Sequence, residues 1–226
     1  MNRSAVDFIW YRATHDWTGL SHPGRLARRF RDYQVSRSGS HYAAKILGAD
    51  MRLTIYHLSN LLNELESWEQ DYLPVSVDGK VVLSVGDGCG ETSLFYLRHG
   101  AAKVIAIEKD RESFGLLREN VERNGLNVLP INESFRLEHL KMAFDFMKID
   151  VEGGEHLLLE LGPDQLKPCV MEAHRFSDRA LPEKLRDRFG MRTVACNGRN
   201  AVILTNVPAP PPQDVTPAAK PDSARG

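Results

Sequence analysis

Three glycines at alternating positions constrain this chain most. Gly86, Gly88 and Gly90 follow the apolar run VVLSV and precede ETSLFYLR, a segment of helical character. Glycine permits a tight turn and lets a ligand approach the backbone closely, and the helix that follows offers free N–H groups in its first turn. The sequence therefore predicts a strand, a ligand-binding loop and a helix in succession.

An acid at the end of the next apolar run completes this pattern. Glu108 ends KVIAIE, about twenty residues after the loop, where a carboxylate can accept hydrogen bonds from both hydroxyls of a ribose. The spacing G-x-G-x-G differs from the G-x-G-x-x-G of dinucleotide sites, and the Lys-Ser/Thr pair of phosphate loops is missing. Glu91, directly after the loop, would repel a pyrophosphate but can receive an ammonium group. These residues favour S-adenosylmethionine, which carries an ammonium and a sulfonium.

Strand-like and helix-like segments alternate from Lys80 onward. Five apolar runs predict parallel strands, namely KVVLSVG, KVIAIE, NVLPIN, FDFMKIDV and CVMEAH. A last pair, RTVAC and NAVILTN, flanks Asn197-Gly198 and predicts an antiparallel hairpin. Continuous apolar strands separated by helices are typical of an α/β fold, in which helices cover both faces of a mostly parallel sheet.

Taken together, these motifs resemble those of the FkbM-type class I methyltransferases. The resemblance covers about residues 80–206 and rests on the glycine loop, Glu108, Leu117, Asn120 and Asn124 of one helix, the box KIDVEGGE from Lys148 to Glu155, and MEAH. It implies a Rossmann-like sheet of seven strands in the order 3-2-1-4-5-7-6. It also implies methyl transfer from S-adenosylmethionine, in this family usually to oxygen acceptors on sugars, polyketides or other small molecules.

The glycine loop, its neighbouring acids and the ends of later strands are the expected cofactor-binding residues. They are Gly86, Asp87, Gly88, Gly90, Glu91, Glu108, Glu133 and Asp150. Glu133 is included because class I enzymes usually contact adenosine after the third strand. Ser84 departs from the family pattern, since such domains usually carry Asp at this position. Glu91 and Asp87 are the candidates to replace that carboxylate.

Polar residues end two strands that are expected to be neighbours. Asp150 ends the fourth strand, and Glu172 and His174 share one face of CVMEAH because side chains alternate along a strand. Ligands bind beyond the carboxyl ends of parallel strands, so we expect these three side chains to form the catalytic cluster beside the cofactor's methyl group. A hydroxyl acceptor must lose its proton. His174, with an ordinary pKa of about 6.5, is the first candidate base, and Asp150 or Glu172 orients it or acts in its place.

Plainer interpretations of the same box stay open. Lys148 could serve only as a buried ion-pair partner, for instance of Glu172. Glu155 could serve only as an acid at the start of a helix, where it suits the helix dipole. Asp150, Glu152 and His174 would suit a divalent metal such as Mg²⁺. Their spacing is not specific to a metal, so the sequence predicts no metal site.

The segments on either side of this domain differ from it in composition. Residues 1–78 are predicted to form a helical, locally basic region, with a short amphipathic helix in GRLARRFRDYQVSR and a stronger helix over Leu53–Gln70. Residues 79–206 are predicted to be the S-adenosylmethionine-binding domain. Residues 207–226 hold half of the chain's 12 prolines and are predicted to be a disordered tail.

Composition narrows the function classes further. A net charge of −1 and 42% hydrophobic residues fit a globular protein rather than a polybasic one. The 3 cysteines show no disulfide or zinc spacing. No stretch reaches the roughly 20 apolar residues of a membrane helix. We therefore expect a cytoplasmic protein without membrane contact.

The predicted function is O-methylation of a small molecule or a glycan by an S-adenosylmethionine-dependent methyltransferase. Two alternatives stay open. An RNA methyltransferase would use the basic N-terminal region and its aromatic side chains, which are Trp10, Tyr11, Trp17, Phe30 and Tyr33. A cofactor-binding scaffold without turnover is suggested by Ser84. Nucleic acid is therefore the less favoured partner, and a small molecule or glycan the favoured one.

Overall fold

A small mixed region precedes the main sheet. The computed structural model describes residues 23–176, 178–197 and 200–209. Helix α1 (Pro23–Asp32) leads into an antiparallel sheet of β1 (Ser36–Ser38), β2 (His41–Ile46) and β3 (Ala49–Leu53), followed by α2 (Ile55–Glu64) and α3 (Trp68–Tyr72). The prediction of a helical region is therefore wrong in part, because the region also contains a three-stranded sheet that was not predicted. The helix predicted over Leu53–Gln70 is also interrupted, and forms the separate helices α2 and α3.

The turn between β2 and β3 explains why this sheet was not predicted from the sequence. Its two residues, Leu47 and Gly48, both have positive φ, at 46° and 79°. Two-residue hairpin turns of this kind usually contain Asn-Gly or Asp-Gly, because the left-handed conformation is unfavourable for most other side chains. Leucine in the first position removes that signal. The hairpin is held instead by burial of alternate side chains along both strands.

Seven strands form the main sheet, and three helices accompany it. The strands are β4 (Val81–Val85), β5 (Lys103–Ile107), β6 (Val128–Ile131), β7 (Phe146–Ile149), β8 (Cys169–His174), β9 (Arg192–Asn197) and β10 (Ala201–Thr205). The helices are α4 (Glu91–Arg98), α5 (Arg111–Asn124) and α6 (Leu181–Phe189), with 3₁₀ turns at Leu137–Lys141 and Gly154–Glu160.

The strand order is β6-β5-β4-β7-β8-β10-β9. Strands β4 to β8 run parallel, and β10 is antiparallel to both β8 and β9. This is the order 3-2-1-4-5-7-6 once the strands of the main sheet are counted alone, so the predicted α/β, Rossmann-like fold with its antiparallel C-terminal strands is confirmed.

Apolar side chains cover both faces of this sheet, which accounts for the continuous apolar strands. Val82, Val104 and Phe146 belong to a core shared with α2, α3 and the small sheet, while Leu83 and Ile105 face a second core. The small region and the main sheet thus share one core across the predicted boundary at residues 78–79. The division into domains stays a prediction.

Some predictions fall outside the described residues. These are the aromatic side chains Trp10, Tyr11 and Trp17, the turn residue Gly198 and the greater part of the proline-rich tail. Within the described ranges, no helix has the length and apolar character to cross a membrane.

A buried asparagine joins the small sheet to the main one. Asn120 Nδ2 donates to the carbonyls of Arg52 and Cys89, both at 2.8 Å, and its Oδ1 accepts the Arg52 N–H at 2.7 Å. One turn later, Asn124 makes the same pair of bonds with the backbone of Asp50, both at 3.0 Å. Four helical residues rise about 6 Å and two strand residues about 6.8 Å, so the two asparagines match the open edge of β3.

We expect Asn120→Ala to destabilise the fold by about 3 kcal/mol or more, because it leaves the buried carbonyl of Cys89 and the half-buried peptide groups of Arg52 without this partner. Asn124→Ala is the matched control and should cost roughly 1 kcal/mol, since its bonds are nearer the surface. Urea unfolding of both variants measures the difference. Equal losses would contradict the role of Asn120 as the junction.

Candidate active site

The loop after β4 has the left-handed backbone for which glycine is suited. The φ angles of Gly86, Gly88 and Gly90 are 74°, 64° and 95°. A Cβ on Gly86 would lie 1.7 Å from the carbonyl oxygen of Asp150. The ends of β4 and β7 therefore approach so closely that only glycine fits, and this contact places the loop beside Asp150.

Glu108 closes the other side of the loop. Its Oε2 accepts the Gly88 N–H at 2.9 Å, and its Oε1 accepts the Asp110 N–H at 2.7 Å. The side chain of Asn132 donates to the Glu108 carbonyl at 2.8 Å, which fixes the end of β5. A carboxylate has about four lone-pair sites, so two remain for hydroxyl donors.

A cavity of about 680 Å³ lies between the glycine loop and helices α2 and α3. Six of the predicted cofactor residues line it: Gly86, Gly88, Glu91, Glu108, Glu133 and Asp150. Helices α2 and α3 add Tyr56, His57, Trp68 and Tyr72 to its wall. Carboxylates outnumber ammonium groups along the described wall, so the cavity favours a cationic ligand over an anionic one.

Glu133 stands at the far end of this wall, beyond β6. Its carboxylate accepts a hydrogen bond from Arg136 and lies 3.1 Å from His139 Nε2. These two contacts hold the start of the 3₁₀ turn at Leu137–Lys141 and fix the carboxylate next to the cavity. The placement agrees with the predicted adenosine contact, which stays a prediction.

Asp87 departs from its predicted place. Its side chain is buried beneath the loop and outside the cavity wall, and its Oδ2 accepts a hydrogen bond from Ser93 Oγ at 2.8 Å. Burial raises the pKa of Asp87 to about 7, although the hydroxyls of Ser84 and Ser93 work to lower it. Asp87 thus supports the loop from the side of the core, through its hydrogen bond with Ser93. Gly90, also outside the wall, caps α4.

Glu91 is held by a histidine that the sequence analysis did not select. Glu91 Oε1 lies 2.6 Å from His57 Nδ1, and its Oε2 accepts the Cys89 N–H at 2.8 Å. His57 Nε2 lies 3.2 Å from Ser113 Oγ, and a Cβ on Gly88 would be 2.4 Å from His57 Cε1. Burial lowers the pKa of His57, but the charge and hydrogen bond of Glu91 outweigh burial and raise it.

Asp150, Glu172 and His174 come together at the ends of β7 and β8, where the sequence places them. His174 Nε2 lies 3.9 Å from Asp150 Oδ1 and 3.9 Å from Glu172 Oε1. Lys148 Nζ lies 3.1 Å from Asp150 Oδ2, so Asp150 rather than Glu172 is its closest partner. Tyr72 of α3 donates to Glu172 Oε2 at 2.8 Å. Of these three predicted residues, Asp150 lines the cavity, and Glu172 and His174 lie behind it.

Glu155 is more than an acid at a helix start. It is fully buried, its Oε1 lies 2.9 Å from His174 Nδ1, and its Oε2 accepts the Gly153 N–H at 2.9 Å. Burial works to lower the pKa of His174, but the bond to Glu155 and the charge of Asp150 raise it. Because its buried partner Glu155 stabilises the protonated imidazole, His174 gives up its proton less readily than a free histidine, and it suits a base less well than the sequence indicates.

Two groups of described residues have the types and spacing that could hold a metal. They are Asp150, Glu172 and His174, and also His57, Cys89 and Glu91, each with ligand atoms within 4.8 Å of one another. Glu152, part of the alternative metal set, instead accepts a hydrogen bond from Tyr56 at 2.5 Å. The Lys148 ammonium already balances the charge of Asp150. The first group therefore takes part in an ion-pair network with Lys148.

Comparison with known protein families identifies the domain around this cavity. Residues 81–189 match the methyltransferase FkbM domain. The chain carries an FkbM methyltransferase domain. The matched segment contains the glycine loop, Glu108, the KIDVEGGE box and β8. The predicted family, and with it an S-adenosylmethionine-dependent class of methyltransferase domain, is confirmed. The small region with α2 and α3 precedes the matched residues.

Curated relatives match a shorter segment of this chain. The electron transfer flavoprotein beta subunit lysine methyltransferase of Mus musculus is 38% identical over 74 residues, which is 33% of this chain and 29% of that protein. Ribosomal protein L11 methyltransferase of Thermotoga maritima is 29% identical over 82 residues, 36% of this chain and 31% of that protein. The matches span less than a third of these relatives.

Solved structures share the fold at lower identity. The TYW2 protein of M. jannaschii in complex with AdoMet aligns with a TM-score of 0.53 and 20% identity, over 75% of this chain and 86% of that one. The T. thermophilus 16S rRNA methyltransferase RsmC, in complex with AdoMet and guanosine, aligns with a TM-score of 0.53 and 20% identity, over 80% and 61%. These likenesses show the fold.

We expect Asp87→Asn to change how stability depends on pH. The pKa of Asp87 is about 7 in the fold, against an ordinary 3.8, so the native protein binds a proton that the unfolded chain has lost. The stabilising effect of that proton is complete below about pH 4 and is lost as the pH rises to about 7. The free energy of unfolding of Asp87→Asn, measured relative to that of wild type, should therefore rise by about 2–3 kcal/mol between about pH 5 and pH 7.5. Urea unfolding at both pH values measures the gain, and a constant difference would refute it.

Proposed function

We propose that this protein transfers a methyl group from S-adenosylmethionine to a hydroxyl group of a small-molecule or glycan acceptor. The observation that carries the proposal is the shared cavity: the glycine loop, Glu108 and Asp150 line one space, and Asp150 is backed by Lys148. This arrangement brings a cofactor cradle and a candidate proton acceptor to the same edge of the sheet.

The residues present fit the cofactor. Gly88 contributes backbone where a side chain would collide with its neighbours, and Glu108 keeps lone pairs for ribose hydroxyls. The acidic wall suits the positive charges of the ligand. When bound, S-adenosylmethionine supplies an electrophilic methyl group. The chain's own residues then have to align the acceptor and receive its proton.

Asp150 is the residue that we assign to the proton. Its side chain is 27% exposed and lines the cavity, whereas those of Glu172 and His174 are 8% and 9% exposed. Lys148, at 3.1 Å, holds one carboxylate oxygen of Asp150 in place. His174 is held from behind by Glu155, 2.9 Å from its Nδ1, and supports the cluster from outside the cavity. We therefore assign the base to Asp150. In the sequence analysis His174 was the first candidate, and Asp150 was one of the two residues that could act in its place.

Two arginines of the small region support a small acceptor over RNA. Arg29 pairs with Glu66 at 2.8 Å, and Arg52 pairs with Glu119 at 3.0 Å. Arginines engaged with carboxylates are poorly placed to bind phosphates, and the acidic cavity would repel a phosphodiester. The intact Glu108 and KIDVEGGE box support turnover over a scaffold role, despite Ser84. Because the curated relatives are named as protein methyltransferases, protein is included among the acceptors to be tested.

Loss of cofactor contacts should weaken binding of S-adenosylmethionine. Gly88→Val places a branched side chain against His57 and should abolish binding. Glu108→Ala removes the ribose acceptor and should cost about 1.5–3 kcal/mol of binding free energy. Asp164→Asn, an exposed change outside the cavity wall, is the control. Calorimetry measures all four proteins, and equal affinities would overturn the assignment.

The proton acceptor should control turnover rather than cofactor binding. Asp150→Asn should lower turnover by roughly 10²–10⁴-fold, because a base in contact with the acceptor contributes about that factor. The S-adenosylmethionine affinity of this variant should change far less, and His174→Gln should lower turnover by a smaller factor than Asp150→Asn. If Asp150→Asn turns over normally while His174→Gln fails, the base is His174.

The acceptor class is tested with labelled S-adenosylmethionine. Extracts separated into RNA, protein, glycan, lipid and small-molecule pools are incubated with the enzyme and with Asp150→Asn as the blank. We expect label in the small-molecule or glycan pool. Label in RNA, together with tRNA binding that weakens steeply above about 150 mM salt, would replace the proposal with the RNA alternative. Label in protein would replace it with protein methylation.

A further inference from the structure

His57 lies in the cofactor cradle although it precedes the matched domain of residues 81–189. It stands in the first turn of α2, where its own N–H donates to Thr54 Oγ1 at 3.2 Å. Its imidazole contacts the glycine loop so closely that a Cβ on Gly88 would lie 2.4 Å from the ring. The small region thus supplies a side chain to the surface on which a cofactor would lie.

Both carboxylate oxygens of Glu91 are engaged. Oε2 accepts the Cys89 N–H at 2.8 Å, a bond inside the glycine loop itself, and Oε1 lies 2.6 Å from His57 Nδ1. The first bond is fixed by the loop, while the second belongs to a side chain from another region. A cation that approaches Glu91 from the cavity therefore meets a carboxylate oxygen that His57 already contacts, and the two compete for its charge.

We propose that His57 and the ammonium group of S-adenosylmethionine compete for Glu91, so that α2 sets the affinity of the cofactor. The inference rests on the proposed function, because it takes S-adenosylmethionine as the ligand. Protonated His57 and the ammonium group are both cations that suit the same carboxylate. Displacement of His57 also breaks its contact with Ser113 Oγ at 3.2 Å. Loss of the His57 contacts with Glu91 and Ser113 therefore lowers the affinity for the cofactor.

Competition of this kind depends on pH. The charged groups that face His57 are Glu91 of α4, Glu108 at the end of β5, Asp110 before α5 and Glu152 after β7. Glu91 is the strongest influence that raises the pKa of His57. Protonated His57 holds Glu91 more tightly than neutral His57, so cofactor binding should strengthen as pH rises and should release a proton.

Calorimetry at about pH 6.5 and about pH 8.5 tests the competition with two ligands. S-adenosylmethionine carries the ammonium, and 5′-methylthioadenosine has the same nucleoside without it. His57→Gln should bind S-adenosylmethionine about tenfold more tightly than wild type at the lower pH, and methylthioadenosine equally well. Glu91→Gln should lose affinity for S-adenosylmethionine alone. His99→Gln, whose imidazole lies 3.2 Å from Glu69 outside the cavity wall, is the control and should change neither ligand.

The outcomes separate this inference from the proposed function. Wild type that binds neither ligand would refute the cofactor itself. If wild type binds S-adenosylmethionine and His57→Gln binds it equally or more weakly at both pH values, the competition is overturned. Proton release by wild type, measured in buffers of different ionisation enthalpy, needs no variant. Its absence would also overturn the inference.

Discussion

The contact on which most of the structure depends is the buried amide of Asn120. It binds the carbonyl of Cys89 in the glycine loop and both peptide groups of Arg52 in β3. Because a buried peptide group without a partner is costly, one side chain fixes the small sheet, α5 and the loop relative to one another. The helix α2 that follows β3 then comes to lie over the loop. The wall of the cavity follows from this junction.

The cavity combines two charge arrangements with different consequences. Around the glycine loop, the carboxylates of Glu91 and Glu108 bond to backbone N–H groups, which fixes both carboxylates beside the cavity. At the ends of β7 and β8, the carboxylates contact the side chains of Lys148 and His174 instead. The first arrangement suits binding and the second suits proton transfer, and both open onto one space at the carboxyl edge of the sheet.

Several predictions agree with the structure for identifiable reasons. The main strands are apolar on both faces, so their runs are unmistakable in the sequence. Asp150, Glu172 and His174 end neighbouring strands, and the parallel order brings such ends together. The small sheet, in contrast, turns through Leu47, which gives no turn signal. Asp87 follows the first loop glycine in the sequence, but its carboxylate is buried and bonds to Ser93 of α4.

Local chemistry along the chain was enough to establish the glycine loop, the acid at the end of β5, the α/β fold and the family resemblance, because each depends on residue types at short, fixed spacings. Tertiary structure alone decided which side chains face the cavity and which stand behind them. His57 and Glu155 show this most clearly, since their partners Glu91 and His174 are distant in sequence and are reached only after the sheet and its helices have packed. Protonation is decided there too, because burial and neighbouring charge, rather than residue type, determine which group keeps its proton.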